Sequence, residues 1–196
     1  MLSGGCDRPG QGQKDPEHSN PPEERSLHTT GGETTRRRQL PHGRWEPVWA
    51  VQWESADLSY LTEKQFKGRM NGVSGKLYQD GKPFGRFGAD AATAYKESDR
   101  LTLSGHVKLT MLRSKRTAKS KSGMPKTRLT CDELEWDAGE GVIKAKKNVY
   151  VDTLDYKIGP FTEYWATPDF TLAGTPDLFL KNPAARSKMK HGAKGL

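Results

Sequence analysis

Residues 101–109 read LTLSGHVKL, with apolar side chains at Leu101, Leu103, Val107 and Leu109 and mostly polar ones between. Alternation with a period of two is the mark of a half-buried strand. Similar runs recur over residues 45–181, separated by Gly-bearing turns at QDGKP (79–83), KSGMP (121–125) and DAGEG (137–141). Helix signals are weak in the same span.

The runs are also related to one another. At a shift of 42 residues Ala89-Asp90 matches Cys131-Asp132, Ala92 matches Leu134, and Ala94 matches Trp136. Leu101 and Leu103 match Ile143 and Ala145, and Val107 and Leu109 match Val149 and Val151. FTLAG (170–174) repeats LTLSG (101–105), so ATPDFTLAGTPDLF (166–179) reads as the second half of a third unit. WESADLSY (53–60) ends like ADAATAY (89–95) and reads as the first half of an earlier one.

A hairpin cannot bury its own apolar face, and stacked hairpins can. The expectation is an all-β chain of roughly eight to ten antiparallel strands, forming two facing sheets or one curled sheet. The inward row is Leu101, Leu103, Val107, Leu109, Ile143, Ala145, Val149, Val151, Phe170 and Leu172. On periodicity alone, a sealed sandwich core is the simpler reading of that row. Between 129 and 136 the parity conflicts, since Leu129 and Cys131 fall on one face and Leu134 and Trp136 on the other. A β-bulge would reconcile them.

Composition narrows the foldable part. Residues 1–44 hold no aromatic and few aliphatic side chains, and are rich in Pro, Gly, Gln, Glu, Ser and Thr. Such a segment buries too little apolar surface to offset its ordering entropy, so 1–44 reads as a disordered tether and 182–196 as a disordered basic tail. The domain is then 45–181, enough for one modest core.

The net charge of +8 is unevenly placed. The loop RSKRTAKSKSGMPK (113–126) carries six bases: Arg113, Lys115, Arg116, Lys119, Lys121 and Lys126. The C-terminal tail carries four more and no acid. A solvated hairpin loop is the plain reading, and contact with phosphates, anionic headgroups or an acidic partner is the functional one. The aromatics are not interleaved with these bases, so no nucleic-acid partner is expected. The two cysteines, Cys6 and Cys131, form no CxxC pair, and no apolar run approaches the roughly 18–20 residues of a membrane helix.

The string GVSGKLYQDGKPFGRFGADAATAY, then LTLSGHVKL, then LTCDELEWDAGEGVIKAKKNVYV resembles the LptC family (LptC/LptA, OstA-like) of lipopolysaccharide export proteins, over about residues 48–180. The resemblance implies a β-jellyroll open along one seam, holding acyl chains in its interior and doing no covalent chemistry. It implies lipopolysaccharide as ligand, an inner-membrane ABC transporter as donor, and an LptA-like jellyroll as acceptor through strand-edge pairing. It places the protein at the periplasmic face of the inner membrane, with no cofactor. The ten inward residues would then line the lipid slot, where each buried CH₂ contributes about 0.8 kcal/mol. Members of the family usually begin with a membrane helix. MLSGGCDRPG is instead similar to the end of a lipoprotein signal, which makes Cys6 a lipidation candidate.

Other motifs carry little. TTRRRQL (34–40) has no apolar run after it, and VSGKL (73–77) lacks the first Gly and the Ser or Thr of a phosphate loop. Only His106 of the five histidines lies within 45–181, on a polar face. Asp90 and Asp132 recur for the structural reasons of a repeat. Trp45, Trp49 and Trp53 are spaced for a helical stripe or an entering strand, with core packing as the default. Two alternatives to lipid export stand: a structural β-repeat protein with a sealed core, and a nucleic-acid binder using loop 113–126 and the C-terminal tail.

Overall fold

The computed structural model describes residues 25–60, 66–95, 99–112, 127–153 and 155–184. They form nine antiparallel strands in one sheet with the order of the chain itself: β1 (Arg25–Gln39), β2 (Trp45–Tyr60), β3 (Phe66–Gln79), β4 (Lys82–Tyr95), β5 (Arg100–Met111), β6 (Arg128–Asp137), β7 (Val142–Asp152), β8 (Lys157–Ala166) and the two-residue β9 (Ala173–Gly174). The first strand does not pair with the last, so the sheet is open, as in a jellyroll-like sandwich.

The sheet folds on itself along one line of irregularity. Backbone with positive φ marks it at Gly31 in β1, Gly72 in β3, Gly105-His106 in β5 and Lys147-Asn148 in β7. Register shifts fall at the same level, between Gly88 and Ala91, Ser104 and Val107, and Thr130 and Glu133. An extra residue bends a strand and moves its later side chains to the other face. This is the bulge that the parity conflict at 129–136 requires: Leu129, Cys131, Leu134 and Trp136 are all buried in one core.

Carboxylates line the bend on the even strands. A Cβ at Gly72 would meet the Glu54 carboxyl group at 2.5 Å, and one at Gly105 would strike Asp90. Asp132 accepts from Asn148 Nδ2 at 2.7 Å, and Asp90 pairs with His106 Nδ1 at 2.7 Å. The 42-residue repeat therefore has a structural basis. Hairpins β4–β5 and β6–β7 place an Asp over a left-handed pair at equivalent levels.

The bend divides the strands into a first half-sheet (the start of β2, the end of β3, the start of β4, the end of β5) and a second. The halves face each other across one apolar core. Phe84 of the first lies edge-on to Trp136 of the second at 4.9 Å, and Trp136 Nε1 donates to the Val48 carbonyl at 3.3 Å. At the same end Arg36 Nε bonds Asp99 at 2.7 Å, and Arg38 donates to the Ala138 carbonyl.

Three expectations are corrected. The segment 1–44 is not wholly a tether, because β1 pairs with β2 from Arg25↔Tyr60 to Gln39↔Trp45. Apolar content misleads here because β1 contributes nothing to the core. Backbone pairing holds it, with Trp53 Nε1 bonded to Thr29. The domain thus begins by residue 25 rather than 45. Residues 1–24 and 185–196 lie outside the described part.

The second correction concerns 166–179, which does not form the expected hairpin half. Asp169 Oδ1 accepts from Thr167 Oγ1 at 2.6 Å and from Thr171 Oγ1 at 2.9 Å, tying Phe170 (φ 54°) into a turn. Such side-chain bonds compete with the sheet ladder. The third is the short helix α1 (Pro176–Lys181), which begins with Pro at its first turn and buries Phe179.

Candidate functional site

The inner face of the folded sheet is the largest feature with a chemical character. Leu101, Leu103, Val107, Leu109, Ile143, Ala145, Val149 and Val151 are all buried in one cluster. Each falls on the inward parity of β5 or β7, and the two-residue bulges at 105–106 and 147–148 preserve that parity through the bend. Phe170 reaches the same cluster from its turn, partly buried. Leu172 does not. It packs on the outer face with Trp165, Val142 and Phe179, so its place in the inward row is corrected. The turn knotted by Asp169 carries it past the end of β8.

Much of the inner face comes from β2–β4, beyond the expected row. Val48, Trp49, Val51, Met70, Val73, Leu77 and Phe87 are buried in the same cluster. The alternation Met70, Val73, Leu77 is broken by the bend at Gly72, which hides it from a search for period two. Gly75 is needed on this face because a Cβ there would meet the ring of Phe87 at 2.6 Å. Trp49 Nε1 is buried without a hydrogen-bond partner among the described residues. An unsatisfied buried donor costs about 1–3 kcal/mol.

The side chains with titration chemistry do not converge. His106 is almost fully exposed, and its pKa is raised by the hydrogen bond and charge of Asp90. Cys131 is pushed up to about 12 by burial, which keeps the thiol protonated and unreactive at neutral pH. Burial also raises Tyr164. Among the described residues no group of three His, Cys, Asp or Glu side chains is placed to hold a metal ion. No helix among them is long and apolar enough to cross a membrane. The basic-loop candidates Arg113, Lys115, Arg116, Lys119, Lys121 and Lys126 lie outside the described residues, and so does Cys6.

The unpaired strand edges flank this interior. On one side is β1, fifteen residues long and polar, with no strand on its outer edge among the described residues. On the other, β8 pairs with β9 only at Trp165 and Ala166, which leaves the outer edge of 157–164 without a strand among the described residues.

Compared with known proteins, the chain matches no family model and no curated protein.

Proposed function

We propose that this chain is a non-enzymatic carrier of lipopolysaccharide in the manner of the LptC family. It would take the lipid from an inner-membrane ABC transporter and pass it to a neighbouring jellyroll by strand-edge pairing, at the periplasmic face of the inner membrane. The observation that carries the reading is the open sheet, curled around an apolar face and ending in two unpaired edges. A closed barrel offers no seam through which a long acyl chain enters sideways, and an open sheet does. Its free edges accept another strand by main-chain hydrogen bonds. A carbonyl of an acylated sugar would also satisfy the orphaned Trp49 Nε1.

Because the inner row is filled by its own side chains, uptake requires the half-sheets to separate along the seam. The distance between spin labels at Lys82 and Tyr95 reports this angle, since both lie on β4 with the bend between them. In a background lacking Cys6 and Cys131, saturating lipopolysaccharide should lengthen that distance. An unchanged distance overturns the reading.

A second reading, a structural β-repeat protein with a sealed core, is favoured by one observation. Leu101, Leu103, Leu109, Ile143, Ala145 and Val149 are each 0% exposed. It predicts the unchanged distance.

A further inference from the structure

The outer faces of the two half-sheets carry different charge arrangements. On the second half the cations of β5–β7 are matched: Arg100 with Glu135 and Asp137, Lys144 with Glu135 and Glu140, Lys146 with Glu163, and Lys147 with Glu133, while Arg69 of β3 forms no ion pair among the described residues. On the first half the outward positions of β3–β6 hold Lys76, Arg86, Lys108 and Arg128, all exposed. None of the four forms an ion pair among the described residues. Lys76 stands directly opposite Arg86, Arg86 opposite Thr110, and Thr110 opposite Arg128. Lys108 lies two residues along β5, opposite Thr130. The row continues to Asp152 on β7 and Lys157 on β8, and Asp152 forms no ion pair with Arg128 among the described residues.

Like charges directly opposite one another destabilise an antiparallel pair. The Lys76–Arg86 pairing therefore works against the fold and calls for a reason outside it. Neighbouring strands lie about 4.8 Å apart, so four successive strands present their cations over a flat patch about 15 Å wide. Between them stand threonines, a serine and a glycine, and the one aromatic side chain in the two rows is Tyr150, opposite Thr130 on β7. Single-stranded nucleic acid is held by several aromatic platforms on which bases stack, and this face offers one ring at its edge, with Lys157 Nζ lying over it at 4.9 Å. A flat lattice of unmatched cations complements a plane of anionic headgroups.

We propose that the outer face of the first half-sheet, built on Lys76, Arg86, Lys108 and Arg128, docks the protein on an anionic lipid bilayer. The contact is electrostatic and lies on the opposite side of the sheet from the apolar interior, so it stands whether or not the interior holds acyl chains. A sheet lying on the bilayer keeps both of its free edges in the plane of the surface, open to a partner strand.

The test is co-sedimentation of the full chain with vesicles of phosphatidylcholine alone and of phosphatidylcholine mixed with phosphatidylglycerol, at low and high salt. Binding should be confined to the mixed vesicles and lost at high salt. Lys76→Gln, Arg86→Gln and Lys108→Gln together should weaken it at least about tenfold. The matched control, Arg69→Gln with Lys146→Gln and Lys147→Gln, removes the same charge from the second half-sheet and should change it little. The face variant should unfold no earlier on heating than the parent, because it relieves the Lys76–Arg86 repulsion. Equal loss in both variants, no loss in the face variant, or equal binding to neutral vesicles overturns the proposal. So does a DNA duplex that displaces the protein from vesicles through the same three residues.

Discussion

Single residues set the bend. Gly105 has φ 74° with Asp90 packed against it, whereas Lys147 holds φ 60° at the equivalent level with a side chain attached. Gly105→Ala should therefore cost roughly 1–3 kcal/mol, from left-handed strain and collision with Asp90. Lys147→Gly should be neutral or mildly stabilising, since it relieves the left-handed strain and the exposed Lys147–Glu133 pair contributes little. Urea denaturation of the two variants checks the contrast.

Cys131 belongs to the same scale. Its pKa is raised from 9.0 to about 12, chiefly by burial. A group whose folded pKa lies above its unfolded value supports the fold fully below the unfolded value and loses that support as pH rises through the folded one. Stability should thus fall between about pH 9 and pH 12, and Cys131→Val should flatten that part of the profile. In the native protein at neutral pH, a thiol reagent should leave Cys131 untouched until denaturant is added. Rapid labelling of Cys131 in the folded chain contradicts its burial.

At the scale of elements, β1 and β5 are opposites. β5 is buried against both half-sheets, while β1 adds no side chain to either core cluster and is fixed by the β2 ladder and by Arg36 and Arg38. Elements with few buried apolar contacts open locally at lower free energy. Amides of β1 should exchange with solvent orders of magnitude faster than those of β5 and β6, and Arg36→Ala should widen the gap. Equal protection would mean that β1 is part of the cooperative core.

The strands from β4 to β7 were legible because their apolar residues alternate and the pattern returns after 42 residues. The bulge at 131–132 was legible from a parity conflict. β1 was not, because its Thr- and Arg-rich residues are recruited by backbone bonds that leave no hydrophobic trace. The turn at 167–171 was not either. The similarity of FTLAG to LTLSG outweighed the Thr-Pro-Asp that precedes it, and that tripeptide begins the turn. The basic face needed the register, since Lys76, Arg86, Lys108 and Arg128 are scattered in sequence and adjacent only across strands.

For the whole molecule, one open sheet does three things at once. Its inner face encloses an apolar volume, its two edges carry no further strand among the described residues, and its outer faces differ in charge. The proposed carrier uses all three, with directed movement supplied by a transporter elsewhere. A sealed structural protein uses only the first. The measurement that separates them most directly is a photo-crosslinker at position 103 or 149, in a two-membrane bacterium with its export machinery intact, with position 106 as the outward control. Leu103 and Val149 face inward and are fully buried, whereas His106 points into solvent. Lipid export predicts a lipopolysaccharide adduct at 103 and 149 and none at 106. Folded protein with no adduct at either inward position would make the interior a sealed core and end the lipid-carrier reading.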